Sequence, residues 1–283
     1  MEQALDHFIK EAFKEDVGPG DYSTLCCIPA SQKGKAVLKI KQAGILAGID
    51  VAKKIFAFTE QAAIFHAFKN DGDEMSVGEE AFTVEAHIHT ILKCERLVLN
   101  CMQRMSGIAS LTREYVNKIK GFHTQILDTR KTTPNFRLLE KEAVRIGGAI
   151  NHRFGLYDMI MLKDNHIDYC SGIIPAIEKA WAYIQENKLD LKIEVETRNL
   201  EEVKLVADHA KGKVFRVMLD NFSPDKIRTA LEMIGHYFQT EASGGINLDN
   251  IISYAETGVD FISVGALIHQ AKSLDLSLKA VFN

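Results

Sequence analysis

Short apolar segments that end abruptly in polar residues recur through the second half of the chain. Six of these segments read QILDTRK, MIMLKDNH, LKIEVET, FRVMLDN, FQTEASGG and FISVGAL. Successive landmarks at their ends lie 22 to 33 residues apart, and helical patterns such as IIPAIEKAWAYIQEN lie between them. One strand, one crossover helix and two short loops fit each interval, so the pattern predicts a parallel α/β sheet.

The position of the polar residues favours a barrel. An open doubly wound sheet concentrates its site at one switch point, whereas a barrel gathers the carboxyl ends of all its strands around one mouth. Here every predicted strand ends in polar residues or glycine. Because there are fewer strands than in a complete barrel, we predict an incomplete α/β barrel of six to seven strands over residues 105–283.

The earlier part of the chain follows a different pattern, in which helical periodicity and strand alternation are mixed. The predicted elements are a helix over MEQALDHFIKEAFKED, a strand over KAVLKI, a helix over residues 49–58, a turn at NDGD, a strand over FTVEAHI and a helical pattern over residues 91–119 that is interrupted near Ser106-Gly107. We predict a mixed α/β domain over residues 1–104, with room for the end of the chain to pack back against it.

Composition and charge exclude several classes of protein. Hydrophobic residues make up 46% of the chain, charged residues make up 25%, and the formal net charge is −4. A general binder of nucleic acid or of anionic membranes would carry a net basic surface, so we expect neither partner. No segment approaches the ~20 apolar residues of a membrane-spanning helix. The N-terminal pattern also lacks the apolar region of a signal peptide.

The five cysteines indicate a reducing compartment. They are odd in number and have no C-x-x-C spacing, so they predict neither a disulfide framework nor a zinc site. Cys94 and Cys101 lie seven residues apart on one face of a predicted helix, and we expect them to be buried. We therefore expect a cytoplasmic protein.

The strand ends carry three kinds of chemical group. They are the cations Arg130, Lys131, His152, Arg153 and Lys163, the acids Glu194, Glu196 and Asp220, and the glycine turns Ser243-Gly244-Gly245 and Val264-Gly265-Ala266. Backbone amides beside glycine can cradle a phosphate, carboxylates can bind Mg²⁺, and clustered cations can clamp further anions. Each feature alone is more often a tight turn, a surface ion pair or a solvated loop charge. Their shared position at successive strand ends favours a joint function.

Several longer motifs are similar to those of one known family. They are EDVGPGDYST and ERLVLNCMQRMSGIAS in the first domain, and TRKTTPNFR, GGAINHRFGL, KDNH, IEVET, MLDN, SGGI and SVGALIH in the second. These motifs resemble those of the quinolinate phosphoribosyltransferases. They occur in the order that the family has, and they extend over almost the whole chain. TRKT, NHR, KDNH and SGG are highly specific together, although each alone is weak. Asn135 stands where the family usually has glycine, and we expect it to alter a turn.

The resemblance implies an N-terminal α/β sandwich domain over an incomplete α/β barrel. It also implies an obligate homodimer with shared active sites, in which each N-terminal domain caps the barrel of its partner; whether dimers assemble into hexamers is left open. The implied reaction joins quinolinate to 5-phosphoribosyl-1-diphosphate and yields nicotinate mononucleotide, pyrophosphate and carbon dioxide, with Mg²⁺ as the cofactor. This reaction belongs to de novo NAD biosynthesis.

The site residues of the family carry over by position. The implied quinolinate pocket contains Thr129, Arg130, His152, Arg153, Lys163 and the partner subunit's Arg96. The implied phosphoribosyl diphosphate site contains Lys131, Glu196, Asp220, Ser243, Gly244, Gly245, Val264, Gly265 and Ala266. Lys131, Glu196 and Asp220 are the implied catalytic residues, with Mg²⁺ near Glu196 and Asp220 and held largely through the pyrophosphate.

The chemistry of these substrates requires clustered cations. Quinolinate is a dianion and the donor carries several more negative charges, which repel strongly at low dielectric. The planar fork of arginine suits a carboxylate. In our hypothesis the pyridine nitrogen attacks the ribose C1 as pyrophosphate leaves. The positive charge of the quaternary nitrogen then acts as an electron sink, so the carboxylate at position 2 leaves as carbon dioxide. Positioning and electrostatics carry most of the rate in such a reaction.

Three other functions stay open. The nearest is a paralogous pyrophosphorylase or phosphoribosyltransferase with a different acceptor, such as the type associated with molybdenum transport. A Schiff-base lyase or aldolase would use Lys131 or Lys163 as a nucleophile at the barrel mouth. A non-catalytic binding or scaffold protein would have no need of Glu196 and Asp220.

Overall fold

The structure, a computed structural model, describes residues 2–282, which form two compact units that alternate along the chain. Unit 1 contains the chain up to Arg113, residues 132–148 and the chain from Leu267 onward. Unit 2 contains Glu114–Lys131 and Ala149–Ala266. The units are therefore interleaved in sequence.

The helices are α1 (Glu2–Asp16), α2 (Tyr22–Cys27), α3 (Ile49–Thr59), α4 (Ile88–Lys118), α5 (Arg137–Gly147), α6 (Asp164–Tyr169), α7 (Ile173–Asn187), α8 (Leu200–His209), α9 (Pro224–Ile234), α10 (Ile251–Ala255) and α11 (Ala266–His269). The strands are β1 (Lys33–Ile40), β2 (Gly44–Ile45), β3 (Ile64–Ala67), β4 (Glu74–Met75), β5 (Glu80–His87), β6 (Gln125–Leu127), β7 (Ile160–Leu162), β8 (Ile193–Thr197), β9 (Arg216–Asp220), β10 (Gln239–Ser243), β11 (Phe261–Ser263) and β12 (Leu276–Val281). Within residues 2–282, no helix is both long enough and apolar enough to cross a membrane.

Unit 1 contains an antiparallel sheet with the strand order β12-β1-β5-β3. Leu38, Ile40 and Phe82 on β1 and β5 are fully buried, as the alternation of apolar and polar positions in these strands requires. The predicted strands over KAVLKI and FTVEAHI and the predicted N-terminal helix are confirmed. Strand β12 pairs with β1, with Leu278 opposite Leu38, so a segment near the end of the chain completes this sheet.

Helix α4 is one continuous helix of 31 residues, so the predicted interruption near Ser106-Gly107 is wrong. Ser106 is fully buried, and its Oγ accepts a hydrogen bond from the backbone nitrogen of Ala47 at 3.0 Å. A Cβ at Gly107 would overlap the backbone carbonyl of Lys272. The serine and the glycine therefore permit close packing against α4 and do not mark its end.

Unit 2 contains six parallel strands in the order β6-β11-β10-β9-β8-β7. They correspond to the six apolar segments of the sequence, and the predicted incomplete α/β barrel is confirmed, since β6 and β7 are the two edges of the sheet. An isolated parallel bridge between Leu127 and Ile150 extends the sheet beside β6. Helices α7, α8 and α9 follow β7, β8 and β9 as crossover connections, and each buries apolar residues such as Ile177, Val203 and Ala230.

Candidate active site

The parallel strands of unit 2 end on the same side, which brings the residues that follow them together. These residues are Thr129, Arg130 and Lys131 after β6, His152 and Arg153 after the bridge at Ile150, Lys163 after β7, Glu196 in β8, Asp220 at the end of β9, Ser243 at the end of β10, and Val264, Gly265 and Ala266 after β11. The structure thus collects the predicted site residues of unit 2 at one end of the sheet.

The turn after β10 has a backbone that suits an anion. Gly244 and Gly245 have φ angles of +96° and +66°, which glycine adopts without strain. A Cβ on Gly244 would overlap the side-chain oxygen of Asn221 and would lie 2.9 Å from its backbone nitrogen. The backbone nitrogen of Asn221 donates to the carbonyl of Ser243 at 2.8 Å, which joins this turn to the end of β9. The geometry fits the predicted phosphate cradle.

Asn221 has a local role that the sequence interpretation did not assign to it. Its Nδ2 donates to Asp220 Oδ2 at 2.6 Å, and its φ angle is +59°. Asparagine tolerates this left-handed conformation better than most residues. Asn221 therefore orients the Asp220 carboxylate while its side chain covers Gly244. The signal in the sequence is an asparagine directly after the last residue of a strand.

Lys163 and Glu196 form an ion pair, with Lys163 Nζ donating to Glu196 Oε2 at 2.7 Å. The Glu196 side chain is 9% exposed and the Lys163 side chain is 45% exposed. The resemblance assigns Lys163 to the quinolinate pocket and Glu196 to the phosphoribosyl diphosphate site. This ion pair therefore connects the two predicted subsites.

Arg130 and Arg153 bring two positive charges close together. Burial, and next the charge of Arg130, lower the pKa of Arg153. Arg153 Nη1 donates to the carbonyl of Met159 at 3.0 Å, which directs the guanidinium. The backbone nitrogen of Lys131 donates to Thr129 Oγ1 at 3.1 Å, and Arg130 and Lys131 are exposed. Two neighbouring arginines of this kind attract a dianion.

His152, Glu194, Arg216 and Glu241 form a buried group that we name the His152 cluster. His152 Nε2 lies 3.1 Å from Glu194 Oε2 and 3.4 Å from Glu241 Oε2. Arg216 Nη1 donates to Glu241 Oε2 at 2.9 Å and lies 3.6 Å from Glu194 Oε2. Burial and the charge of Glu241 raise the pKa of Glu194. Although burial opposes it, the hydrogen bond from His152 and the charge of Arg216 lower the pKa of Glu241.

The His152 cluster corrects one interpretation and adds two residues. Glu194 was grouped with the acids that could bind Mg²⁺, but its side chain is fully enclosed and faces the imidazole of His152. Glu241 and Arg216 were not identified from the sequence. The signal for both is a charged residue inside a predicted barrel strand, where an unpaired charge would be strongly destabilising.

Arg96 lies in unit 1, where it is exposed on α4. The contribution of Arg96 from a partner subunit stays a prediction.

The segment that follows Lys131 is held within unit 1 by a buried glutamate. Glu140 Oε2 accepts the backbone N–H of Thr133 at 2.8 Å, and Glu140 Oε1 pairs with Arg104 Nη2 at 2.9 Å. Asn135 has a φ angle of +61°, and the turn closes with a hydrogen bond from Phe136 N to the Thr133 carbonyl at 3.1 Å. Asparagine tolerates this left-handed conformation better than most residues.

An incomplete parallel α/β barrel with clustered cations, carboxylates and a glycine cradle at its strand ends defines an enzyme of anionic, phosphorylated substrates. Two family descriptions match the chain: "Quinolinate phosphoribosyl transferase, N-terminal domain" over residues 21–106 and "Quinolinate phosphoribosyl transferase, C-terminal domain" over residues 108–279. The chain belongs to the quinolinate phosphoribosyltransferase family, which confirms the resemblance found in its motifs.

The names of similar proteins agree with this family assignment. The chain is 42% identical to quinolinate phosphoribosyltransferase [decarboxylating] 2b, mitochondrial, of Nicotiana tabacum, over 97% of the chain and 82% of that protein. It is 41% identical to the probable nicotinate-nucleotide pyrophosphorylase [carboxylating] of Bacillus subtilis, over 98% of the chain and 92% of that protein. The crystal structure of NadC from Streptococcus pyogenes matches with a TM-score of 0.91 and 38% identity, covering 100% of this chain and 99% of that one.

Proposed function

We propose that this protein transfers the phosphoribosyl group of 5-phosphoribosyl-1-diphosphate to quinolinate and releases pyrophosphate and carbon dioxide, forming nicotinate mononucleotide for NAD biosynthesis. The observation that carries the proposal is the neighbouring charges of Arg130 and Arg153, at the strand ends that also hold the Gly244-Gly245 turn. Paired arginines suit the two carboxylates of the acceptor, and a glycine turn suits the phosphate of the donor.

The acceptor subsite is formed by the cations of unit 2. Arg130 and Arg153 bind the carboxylates through their planar forks. Lys163 adds a charge whose direction is set by Glu196, at 2.7 Å. Thr129 and His152 complete the set that the family implies. A local excess of positive charge in a chain of net charge −4 is what such a dianion requires.

The donor subsite is formed by the turns after β10 and β11. Gly244 and Gly245 present backbone to the 5-phosphate, together with Ser243 and the segment Val264-Gly265-Ala266. Glu196 and Asp220 face the ribose hydroxyls. Lys131 lies between the two substrates, where its charge offsets that of the departing pyrophosphate.

Mg²⁺ fits the residues present at the donor subsite. This ion prefers oxygen ligands and binds through one or two carboxylates together with substrate phosphates. Asp220 suits this role, since the residue is half-exposed and its carboxylate is oriented by a hydrogen bond from the side-chain amide of Asn221. Bound with pyrophosphate, Mg²⁺ would neutralise leaving-group charge.

The reaction then needs positioning more than acid–base chemistry. The arginines hold the pyridine nitrogen toward the ribose C1, and the acids hold the ribose as positive charge develops on it. The new N–C bond forms as the C–O bond to pyrophosphate breaks. Carbon dioxide then leaves from C2, the bonding electrons stay on C2 where the adjacent positive nitrogen stabilises them, and uptake of a proton from water at C2 gives nicotinate mononucleotide.

The proposed assembly is a homodimer in which the partner subunit's Arg96 completes the acceptor subsite. The exposure of Arg96 on α4 supports this arrangement, because a charge that faces outward is available to a second chain. The proposed compartment is the cytoplasm. All five cysteines of the chain are free thiols, as a reducing compartment maintains them.

Incubation of the purified protein with quinolinate, phosphoribosyl diphosphate and Mg²⁺ tests the function. We expect nicotinate mononucleotide and carbon dioxide to appear in equal amounts. If neither product forms while a control enzyme works, the acceptor is wrong, and a pyrophosphorylase with another acceptor becomes the better assignment. Borohydride trapping of a substrate carbonyl on Lys131 or Lys163 would instead indicate Schiff-base chemistry.

A further inference from the structure

The His152 cluster places four ionisable side chains at buried positions of unit 2. Glu194, Arg216 and Glu241 come from three neighbouring strands, β8, β9 and β10, and all three are buried. Glu194 lies directly opposite Arg216 in the register of β8 and β9. Replacing buried charges by apolar residues of similar size is often neutral or stabilising, so retained charges call for another explanation.

Hydrogen bonds connect this cluster to the acceptor subsite through His152. The carboxylates of Glu194 and Glu241 hold the ring at Nε2, at 3.1 and 3.4 Å. On the opposite side of the ring, Nδ1 accepts the backbone N–H of Arg153 at 2.7 Å. The backbone N–H of His152 itself donates to Asp128 Oδ1 at 2.7 Å. Both ring nitrogens are therefore engaged, and the ring fixes the backbone from which the Arg153 side chain extends.

A metal ion is the competing explanation for these residues. His152, Glu194 and Glu241 each offer a ligand atom, and these atoms lie within 4.8 Å of one another. Arg216 Nη1, however, is 2.9 Å from Glu241 Oε2 and 3.6 Å from Glu194 Oε2. A guanidinium that contacts both carboxylates already supplies the positive charge that a metal would bring.

We propose that Glu241 and Arg216 are positioning residues that fix His152 and, through its ring, the backbone of Arg153. Arg216 anchors the Glu241 carboxylate, and that carboxylate and Glu194 orient the ring. Arg153 is then held beside Arg130 before the acceptor arrives. This inference rests on the proposed function, and it assigns to buried residues the specificity for a dicarboxylate acceptor.

The test is Glu241→Gln, which keeps the shape of the side chain but weakens its bonds to Arg216 and His152. We expect the KM for quinolinate to rise about 10- to 100-fold, as misplacement of a binding group does, while the KM for phosphoribosyl diphosphate stays unchanged. Thr240→Val is the matched control. It removes two hydrogen bonds between the Thr240 hydroxyl and Asp260, of 2.8 and 3.0 Å, from the same strand without touching the cluster, so it should alter neither KM.

A double substitution shows whether Glu241 acts through His152. In a His152→Gln background, Glu241→Gln should add little further loss, because the ring that it positions is absent. Full additivity would overturn the proposal, as would an unchanged KM for quinolinate in Glu241→Gln. A stoichiometric metal in the purified protein that Glu241→Gln releases would also overturn it.

Two controls keep the result interpretable. If Glu241→Gln does not fold, the double variant Glu241→Gln, Arg216→Gln removes both charges of the pair and is measured in the same way. Wild-type protein that forms no nicotinate mononucleotide would refute the proposed function itself. Active wild-type protein with unaltered variants would refute only the positioning role.

Discussion

Lys131 carries the positive charge that the proposed reaction needs between its two substrates. Lys131→Ala should lower kcat about 100- to 1000-fold, because it removes charge stabilisation that is strongest as pyrophosphate leaves. The affinity for quinolinate should change much less. Steady-state kinetics of this variant and of Lys226→Ala, an exposed lysine on α9, give the comparison. A normal turnover number in Lys131→Ala would contradict the role.

Gly244 is required at its position both by its backbone and by its neighbour. Gly244→Ala should raise the KM for phosphoribosyl diphosphate, since the new Cβ would push Asn221 away from the donor subsite. Gly212 provides the control: its φ angle is +78° and nothing lies within 4 Å of an added Cβ. Gly212→Ala should therefore lower stability by about 1 kcal/mol and leave both KM values intact. Equal KM effects in the two variants would reject the steric argument.

The buried thiols provide a test of pH dependence. Burial raises the pKa of Cys94 to about 11 and that of Cys101 to about 12, so the folded state holds both as thiols. The two buried thiols contribute fully to the free energy of unfolding at any pH below the ordinary thiol pKa. This contribution is lost as the pH rises through the raised pKa values of Cys94 and Cys101. At pH ~8 alkylation of the native protein should modify the exposed Cys26 and Cys27 and spare Cys94 and Cys101. Mass spectrometry of native and unfolded samples checks this; rapid native labelling of Cys101 would contradict its burial.

Some site residues could be predicted from the sequence and others could not. The strand-end residues could be predicted because chain order alone places them after apolar segments. Glu241 and Arg216 could not, because their partners depend on the register of neighbouring strands, which brings Arg216 beside Glu194 and Glu241. The burial of Cys94 and Cys101 was predicted from helical spacing and is confirmed.

At the scale of the elements, α4 is the helix on which the C-terminal segment of unit 1 packs. Gly107→Ala should lower the free energy of unfolding by about 1–3 kcal/mol, as overpacking does, because its Cβ would overlap the carbonyl of Lys272. Glu114→Ala, at an exposed position of the same helix, should change stability by less than about 0.5 kcal/mol. Urea unfolding measures both, and equal stabilities would show that the segment can move away without loss.

Helices and strands with a clear pattern of apolar and polar residues could be predicted from the sequence, and those with a weak pattern could not. The six barrel strands coincide with the six segments that the sequence analysis placed before polar strand ends, and each of these segments is visible in the sequence. Strand β3 has mostly exposed positions, so its composition carries little signal. Helix α5 buries the charged residues Glu140 and Lys141. Because these residues are not apolar, hydrophobic periodicity does not show which face of α5 is buried.

At the scale of the whole molecule, chain order is a poor guide to the compact units. Residues 132–148 follow a barrel strand in sequence yet belong to unit 1, together with the segment from Leu267 onward. The reason is long-range bonding, since Arg104 binds Glu140 and the carbonyls of Ile268 and Ala271 at 2.6–3.0 Å. No local pattern in the sequence reports such contacts.

The proposed dimer makes a prediction about mixed chains. If the partner subunit's Arg96 completes each site, Arg96→Ala and Lys131→Ala chains are each inactive alone. A mixed dimer would contain one site with both residues intact, so equal mixing should restore about one quarter of wild-type activity. Co-purification through two different affinity tags verifies that subunits exchange. Absence of rescue after verified exchange would place the whole site within one chain, and Arg96 would then act on its own barrel or not at all.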